Sequence, residues 1–399
     1  MLMRLPILAA ATAALLACGE RGEAQTDEQA VELAQELAPR VERAVGLPFK
    51  REPRIAVRSR EQVRRYMMWK LADEWPDDEL RGMTTAYRLF GLLPDTLEMR
   101  RLLLALYTEQ VVGFYEPDST TLYVVDGSDP FMLRMTMAHE LVHALQAQYV
   151  PLSELLDGER RNDRRMAAQA VLEGQATLAS LMVMMPNQDF AAIPDFEGTF
   201  RESIREQQAQ MPVFNSAPLV IQEGLIFPYL EGANFTRWFL SQYGDTVPFG
   251  ERLPQSTEHI LHPERYRAGD PPVTLVVQPR PDMVYQDGLG EFEIRVLLTE
   301  LSGREAVGRA GGLGWGGDQY AVLGAGAGHA LVWWVVWDAE RYADRFARVL
   351  GREWPKRDRP NRRFTIERLT VEQHPAVRLV DAPVGWDGWE RLPRVEVRP

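Results

Sequence analysis

Two histidines four residues apart, with a glutamate directly after the first, are the part of this chain best suited to chemistry. Residues Met137 to Tyr149 read M-A-H-E-L-V-H-A-L-Q-A-Q-Y, and His139-Glu140-Leu141-Val142-His143 is an H-E-x-x-H pattern. On a helix, residues i and i+4 lie one above the other on one face. His139 and His143 can therefore offer two imidazole nitrogens to one metal ion. Zinc suits the set, because imidazole is a good ligand and a catalytic zinc keeps one position open for water. Such an ion brings the pKa of its water towards neutrality. Glu140 is then placed to take the proton as the water attacks a carbonyl. The bland alternative is a pair of helix histidines that are exposed or satisfied in a core. In a chain with only six His, a chance match has odds on the order of one in a hundred.

Catalytic zinc usually takes three protein ligands. The class that continues H-E-x-x-H-x-x-G-x-x-H is excluded, because those last two positions are Gln146 and Tyr149. The remaining option is a downstream glutamate: Glu154, Glu159 or Glu173. Glu173 is favoured because it falls inside a predicted helix, 164–185, which can hold a carboxylate rigidly. Its neighbour Gly174 costs a helix interior about 1 kcal/mol relative to Ala. Close approach of two helices would justify that cost, and delivering a ligand to the H-E-x-x-H helix requires such an approach. Thr177, one turn on, is a candidate for the layer behind the ligands.

The elements that must position these residues are legible around them. Asp129 can cap the H-E-x-x-H helix, Pro130 suits its first position and Pro151 ends it. Before it, 111–115 and 121–125 form a predicted hairpin around the turn Glu116-Pro117-Asp118-Ser119. The second strand is a candidate exposed edge for binding an extended peptide. Upstream, Thr26-Asp27-Glu28-Gln29 reads as a capping box opening a helix to Val45. A strand at 54–58 and helices at 60–75, 79–92 and 96–109 follow. Downstream lie a helix at 197–210, an apolar helix around Leu219, and a separate helix opened by Phe227-Pro228-Tyr229 and running to Tyr243. Beyond Pro271 the character changes: a strand at 273–278, a helix at 291–301, and a Gly-rich run, Gly311 to Gly317. That run leads into a hairpin (320–323 and 330–337), a helix from Asp338 and two short strands. Trp315 and Asp318 read as structural residues of a Gly-rich turn. Hairpin-then-helix thus occurs twice, a weak hint of an internal repeat.

The whole chain has 399 residues, net charge −12 at pH 7 and 45% hydrophobic content. That is an ordinary globular composition, and the acidic balance argues against a nucleic-acid partner. At the N-terminus, Arg4 flanks an apolar run, Leu5 to Ala17, too short to span a bilayer. The run ends Leu15-Leu16-Ala17-Cys18, which resembles the lipobox of bacterial lipoproteins. On that reading Cys18 carries the lipid and the protein is held at the cell envelope. Gly19, rather than Asp, directs it to the periplasmic face of the outer membrane where one exists. Cys18 is the sole cysteine, so no disulfide supports the fold. The expected organisation is a signal peptide (1–17), a lipidated tether (18–26), a catalytic domain (27–270) and a C-terminal region (271–399).

H-E-L-V-H-A-L-Q followed by L-E-G-Q-A-T resembles the gluzincin group of zinc metallopeptidases. More narrowly, the chain resembles a set of bacterial and archaeal metallopeptidase-like proteins. These share G-F-Y-x-P before the metal helix, S-T-E-x-I-L-H-P-E-x-Y (Ser256 to Tyr266) and G-W-G-G-D-x-Y (Gly314 to Tyr320). The resemblance implies zinc on His139, His143 and Glu173, with Glu140 as the base. It also implies a mostly helical α+β fold: a zincin-like core in which a small sheet precedes the H-E-x-x-H helix and a Glu-bearing helix, plus a C-terminal α+β region. Pro228-Tyr229-Leu230-Glu231-Gly232 resembles the P-Y-E-K-G stretch of the aminopeptidase family that includes leukotriene hydrolase. That resemblance assigns the oxyanion donor to Tyr229, with His259, His262, Tyr266 and Tyr320 as rivals. The expected activity is hydrolysis of peptides or proteins. The alternative is a non-catalytic lipoprotein that keeps the metal for stability and serves as a binding module.

Overall fold

The computed structural model describes residues 25–74, 76–152, 162–244, 248–357 and 359–398. The lipobox and Cys18 lie outside these residues, as do Glu154 and Glu159. Among the described residues no helix is long and apolar enough to cross a membrane.

The chain begins with α1 (Asp27–Val45), β1 (Arg54–Arg58), α2 (Arg60–Glu74), α3 (Asp77–Phe90) and α4 (Met99–Gln110). The hairpin β2 (Gly113–Glu116) and β3 (Thr121–Val125) then leads into the H-E-x-x-H helix, α5 (Pro130–Gln146). Next come α6 (Asn162–Met184), α7 (Phe196–Gln208), α8 (Pro212–Ser216), α9 (Leu219–Tyr243), α10 (Thr257–Leu261) and α11 (Pro263–Ala268). The remainder is β4 (Thr274–Val277), β5 (Met283–Asp287), α12 (Gly290–Ser302), α13 (Glu305–Gly312), β6 (Trp315–Ala325), β7 (Gly328–Trp337), α14 (Glu340–Glu353), β8 (Arg362–Val371), β9 (His374–Pro383) and β10 (Val395–Arg398). The fold is mixed α+β with helix predominating.

Local chemistry explains the starts of the key helices. Thr26 accepts from Gln29 N while the Gln29 side chain accepts from Thr26 N, the capping box expected there. Asp129 accepts from Phe131 N and Met132 N, and Pro130 occupies the first turn of α5.

Three features differ from the sequence reading. First, the small sheet has the order β1-β3-β2. β1 pairs in parallel with β3, so the second hairpin strand is central and β1 and β2 are the two edges. Hairpin patterning cannot show this, because the third strand comes from more than 50 residues upstream. Second, Tyr229 does not open a helix. α9 runs unbroken from Leu219 to Tyr243 with Pro228 inside it. Proline removes one backbone hydrogen bond, and α9 carries on through it with Leu225 and Phe227 buried before it and Tyr229 and Leu230 buried after it. Third, the Gly-rich run is already strand from Trp315, which pairs with Trp337. A side chain at Gly317 would meet the Val273 carbonyl, whose chain crosses there. The second hairpin joins a five-stranded antiparallel sheet, β5-β6-β7-β9-β8, unlike the mixed sheet of the first.

One hydrophobic cluster extends from Val63 through Phe227 and Phe292 to Trp333 and Leu379, across the expected boundary at 270. A second joins α1, the small sheet, α5 and α6 through Leu37, Leu122, Leu141, Val142 and Ala176. From Met135 to Gln146 every residue of α5 is buried. The two helices expected to bear metal ligands therefore lie in the interior.

Candidate metal centre

α5 and α6 pack side by side and bring His139, His143 and Glu173 together. His139 Nε2 lies 3.1 Å from Glu173 Oε2, His143 Nε2 lies 3.3 Å from the same oxygen, and the two nitrogens are 3.0 Å apart. A tetrahedral zinc with bonds of about 2.0–2.1 Å holds its donors roughly 3.3 Å apart. The triangle therefore fits that ion, and the donor types are those zinc takes. All three side chains lack exposed surface. Among the described residues this is the group of His and acidic side chains that could hold a metal ion.

Charge makes the same point. Burial pushes His139 down to about 4, and the neighbouring His143 adds to this. Burial also acts to lower His143, but the Glu173 carboxylate outweighs it and raises the imidazole. Burial acts to raise Glu173, and the two imidazoles overcome it, holding the carboxyl at about 2. Glu173 is thus held as a carboxylate in the interior, facing two imidazoles. A bound cation would balance that charge and satisfy all three donors.

Glu140 is buried with its ligand neighbours, and its Oε2 accepts the Tyr115 amide at 2.8 Å. Tyr115 sits on the edge strand β2, so the small sheet reaches the site through a main-chain N–H. Tyr229 arrives from α9, its ring centroid 6.1 Å from that of His139. Burial, then the charges of Glu173 and Glu140, raise its phenol well above the ordinary value. It is a neutral donor at any ordinary pH.

Gly174 does mark a close helix approach, but not to α5. A Cβ there would lie 2.1 Å from the Gly232 carbonyl carbon of α9, and one at Gly232 would lie 2.0 Å from the Ala170 carbonyl oxygen. The paired glycines let α6 and α9 touch backbone to backbone, which sets Tyr229 against Glu173.

The rival donors are engaged elsewhere. His259 contacts the Asp270 carbonyl at 2.6 Å and the Gln255 amide at 3.2 Å. His262 contacts Glu291 at 3.0 Å and Arg295 at 2.8 Å. Tyr266 donates to the Arg252 carbonyl, and Tyr320 packs edge-on to Phe90. Asp318 is structural, as expected. It accepts the amides of Leu289 and Gly290 at the start of α12 and the indole N–H groups of Trp315 and Trp333. Thr177 is buried, and its hydroxyl makes no hydrogen bond among the described residues. The layer behind the ligands belongs instead to Gln146, 2.8 Å from His143 Nδ1. The sequence signal for it is a polar residue three after His143, at the end of the H-E-x-x-H helix. The Tyr115 amide left no such signal, because a main-chain donor is independent of residue type.

A family model described as a domain of unknown function (DUF8575) matches residues 279–383. That is well under half of the chain, and it contains none of the metal-centre residues. No curated protein matches the chain. Among solved structures, a protein of novel fold from Chloroflexus aurantiacus, described provisionally as a hydrolase, is 19% identical. The match covers 61% of this chain and 89% of that one at a TM-score of 0.37, a likeness too slight to bear on fold or chemistry.

Proposed function

We propose that the protein is a zinc-dependent metallopeptidase of the gluzincin type, held at the cell envelope by a lipid on Cys18. The observation that carries the reading is the 3.0–3.3 Å triangle of His139, His143 and Glu173, with Glu140 beside it on α5. A zinc ion held by these donors would acidify a coordinated water and polarise a scissile carbonyl. Glu140 would accept the proton from the attacking water and return it to the leaving amine. The Tyr115 amide orients that carboxylate through Oε2. Tyr229, kept protonated by its surroundings, would donate to the developing oxyanion. β2, the sheet edge next to Glu140, is where the main chain of an extended substrate would pair. A buried carboxylate that ligates nothing is costly to keep, and a base is what would justify Glu140.

A specific observation favours a second reading. His139, Glu140, His143 and Glu173 have no exposed surface, which suits a metal that stabilises a non-catalytic envelope module. Metal content and hydrolysis of an unfolded protein substrate, measured on wild type and Glu140→Gln, separate the two. The peptidase reading expects equal zinc in both proteins and turnover in wild type alone. Equal zinc with turnover in neither rejects it. Loss of membrane association in Cys18→Ala tests the anchor.

A further inference from the structure

α5 does not end on its second histidine. Gln146, nearly one turn later, is 1% exposed and places Oε1 2.8 Å from Nδ1 of His143. The far side of the amide settles the direction of that contact. Nε2 of Gln146 lies 3.0 Å from the Leu172 carbonyl and 2.8 Å from Oε1 of Gln175. A carbonyl can only accept, so the amide nitrogen must face Leu172 and the amide oxygen must face His143. An accepting oxygen at Nδ1 requires the His143 proton there. Its Nε2 lone pair then points at Glu173 Oε2 and His139 Nε2.

We infer that Gln146 is a positioning residue for two of the three metal donors at once. It selects the tautomer of His143 that presents a free lone pair. By holding the Leu172 carbonyl, it also fixes α6 against α5 at the residue before Glu173. The usual partner of a metal-binding imidazole is a carboxylate, a carbonyl or water. A carboxylate at 146 could accept from His143 but would face two further acceptors, Leu172 O and Gln175 Oε1. Only a carboxamide accepts on one side and donates twice on the other without burying a charge. The inference rests on the zinc reading, and its readouts need no turnover.

The test is competition for zinc against a chromophoric chelator, on wild type, Gln146→Met and Gln175→Met, each checked for native helix content. Methionine keeps the length of the side chain without its hydrogen bonds. Gln146→Met is expected to bind zinc about 10–100-fold more weakly. Gln175→Met keeps the His143 and Leu172 contacts and is expected to lose less than about tenfold. Independently, ¹⁵N shifts of His143 in metal-free wild type, at a pH where the ring is neutral, are expected to show the proton on Nδ1. Zinc affinity unchanged in folded Gln146→Met, or a wild-type proton on Nε2, overturns the inference. Should Gln146→Met fail to fold, the wild-type tautomer decides. If wild type takes up no zinc, the function proposed above falls, while the tautomer measurement still judges Gln146.

Discussion

Gly174→Ala puts the packing argument to its sharpest test. Alanine is the better helix former by about 1 kcal/mol, so propensity alone predicts stabilisation. The geometry predicts the reverse. The new Cβ would lie 2.1, 2.2 and 2.6 Å from the carbonyl carbon, oxygen and Cα of Gly232. All three are backbone atoms, so no side chain can turn aside. Ordinary carbon contacts are about 3.5–4.0 Å, so α6 and α9 must separate by roughly 1.5 Å. Overpacking of this kind costs about 1–3 kcal/mol, occasionally more. A contact this short belongs at the upper end, which leaves a net loss of about 2 kcal/mol after the propensity gain. The assay is the urea midpoint at unchanged slope. Gly351→Ala is the control: it lies within α14 with nothing inside 4 Å of the added carbon, and should gain about 0.5–1 kcal/mol. A midpoint for Gly174→Ala at or above wild type would refute the claim that helix contact dictates glycine here.

Asp318→Ala removes one carboxylate from four donors, two of them indoles. Each buried donor left unpaired costs about 1–3 kcal/mol, so a loss above roughly 3 kcal/mol in urea unfolding is expected, with zinc affinity in the folded fraction unaltered. The pH dependence of chelator-treated protein follows from the ligands. His139 is held at about 4 against 6.5, so the unfolded chain takes up its proton first as the pH falls. The contribution of this group to stability should then decline between about pH 6.5 and 4, and the difference between wild type and His139→Gln isolates it from the buried carboxyls that titrate in the same range. Glu173, at about 2 against 4.5, extends the decline below about 4.5. His143 is raised and contributes stability that is lost as pH climbs through its folded value. A difference in urea midpoint between wild type and His139→Gln that grows in favour of wild type as the pH falls from 6.5 to 4 would contradict the assignment.

Much of the candidate metal site could be read before any fold was known, because its geometry is local. His139 and His143 are four residues apart, and backbone geometry alone places them on one face with Glu140 beside them. The caps of α1 and α5 were legible for the same reason, each being a bond between residues a few positions apart. Glu173 was reachable at one remove: the pattern required a third donor, and a carboxylate inside a helix beside a costly glycine was the best available.

What the tertiary structure alone decided is which helix each partner meets. Gly174 signalled a close crossing, but only packing shows the crossing helix to be α9, through a second glycine 58 residues away. That crossing, not the H-E-x-x-H helix, brings Tyr229 to Glu173. The edge of the small sheet depended on β1 inserting in parallel beside β3, a pairing with no signature in the hairpin itself. Gln146 could be named from the sequence, yet its use depends on a carbonyl from α6. Short-range hydrogen bonds and helical spacing are written residue by residue. Long-range partners are selected only when the chain buries its apolar faces together, and those choices complete the site.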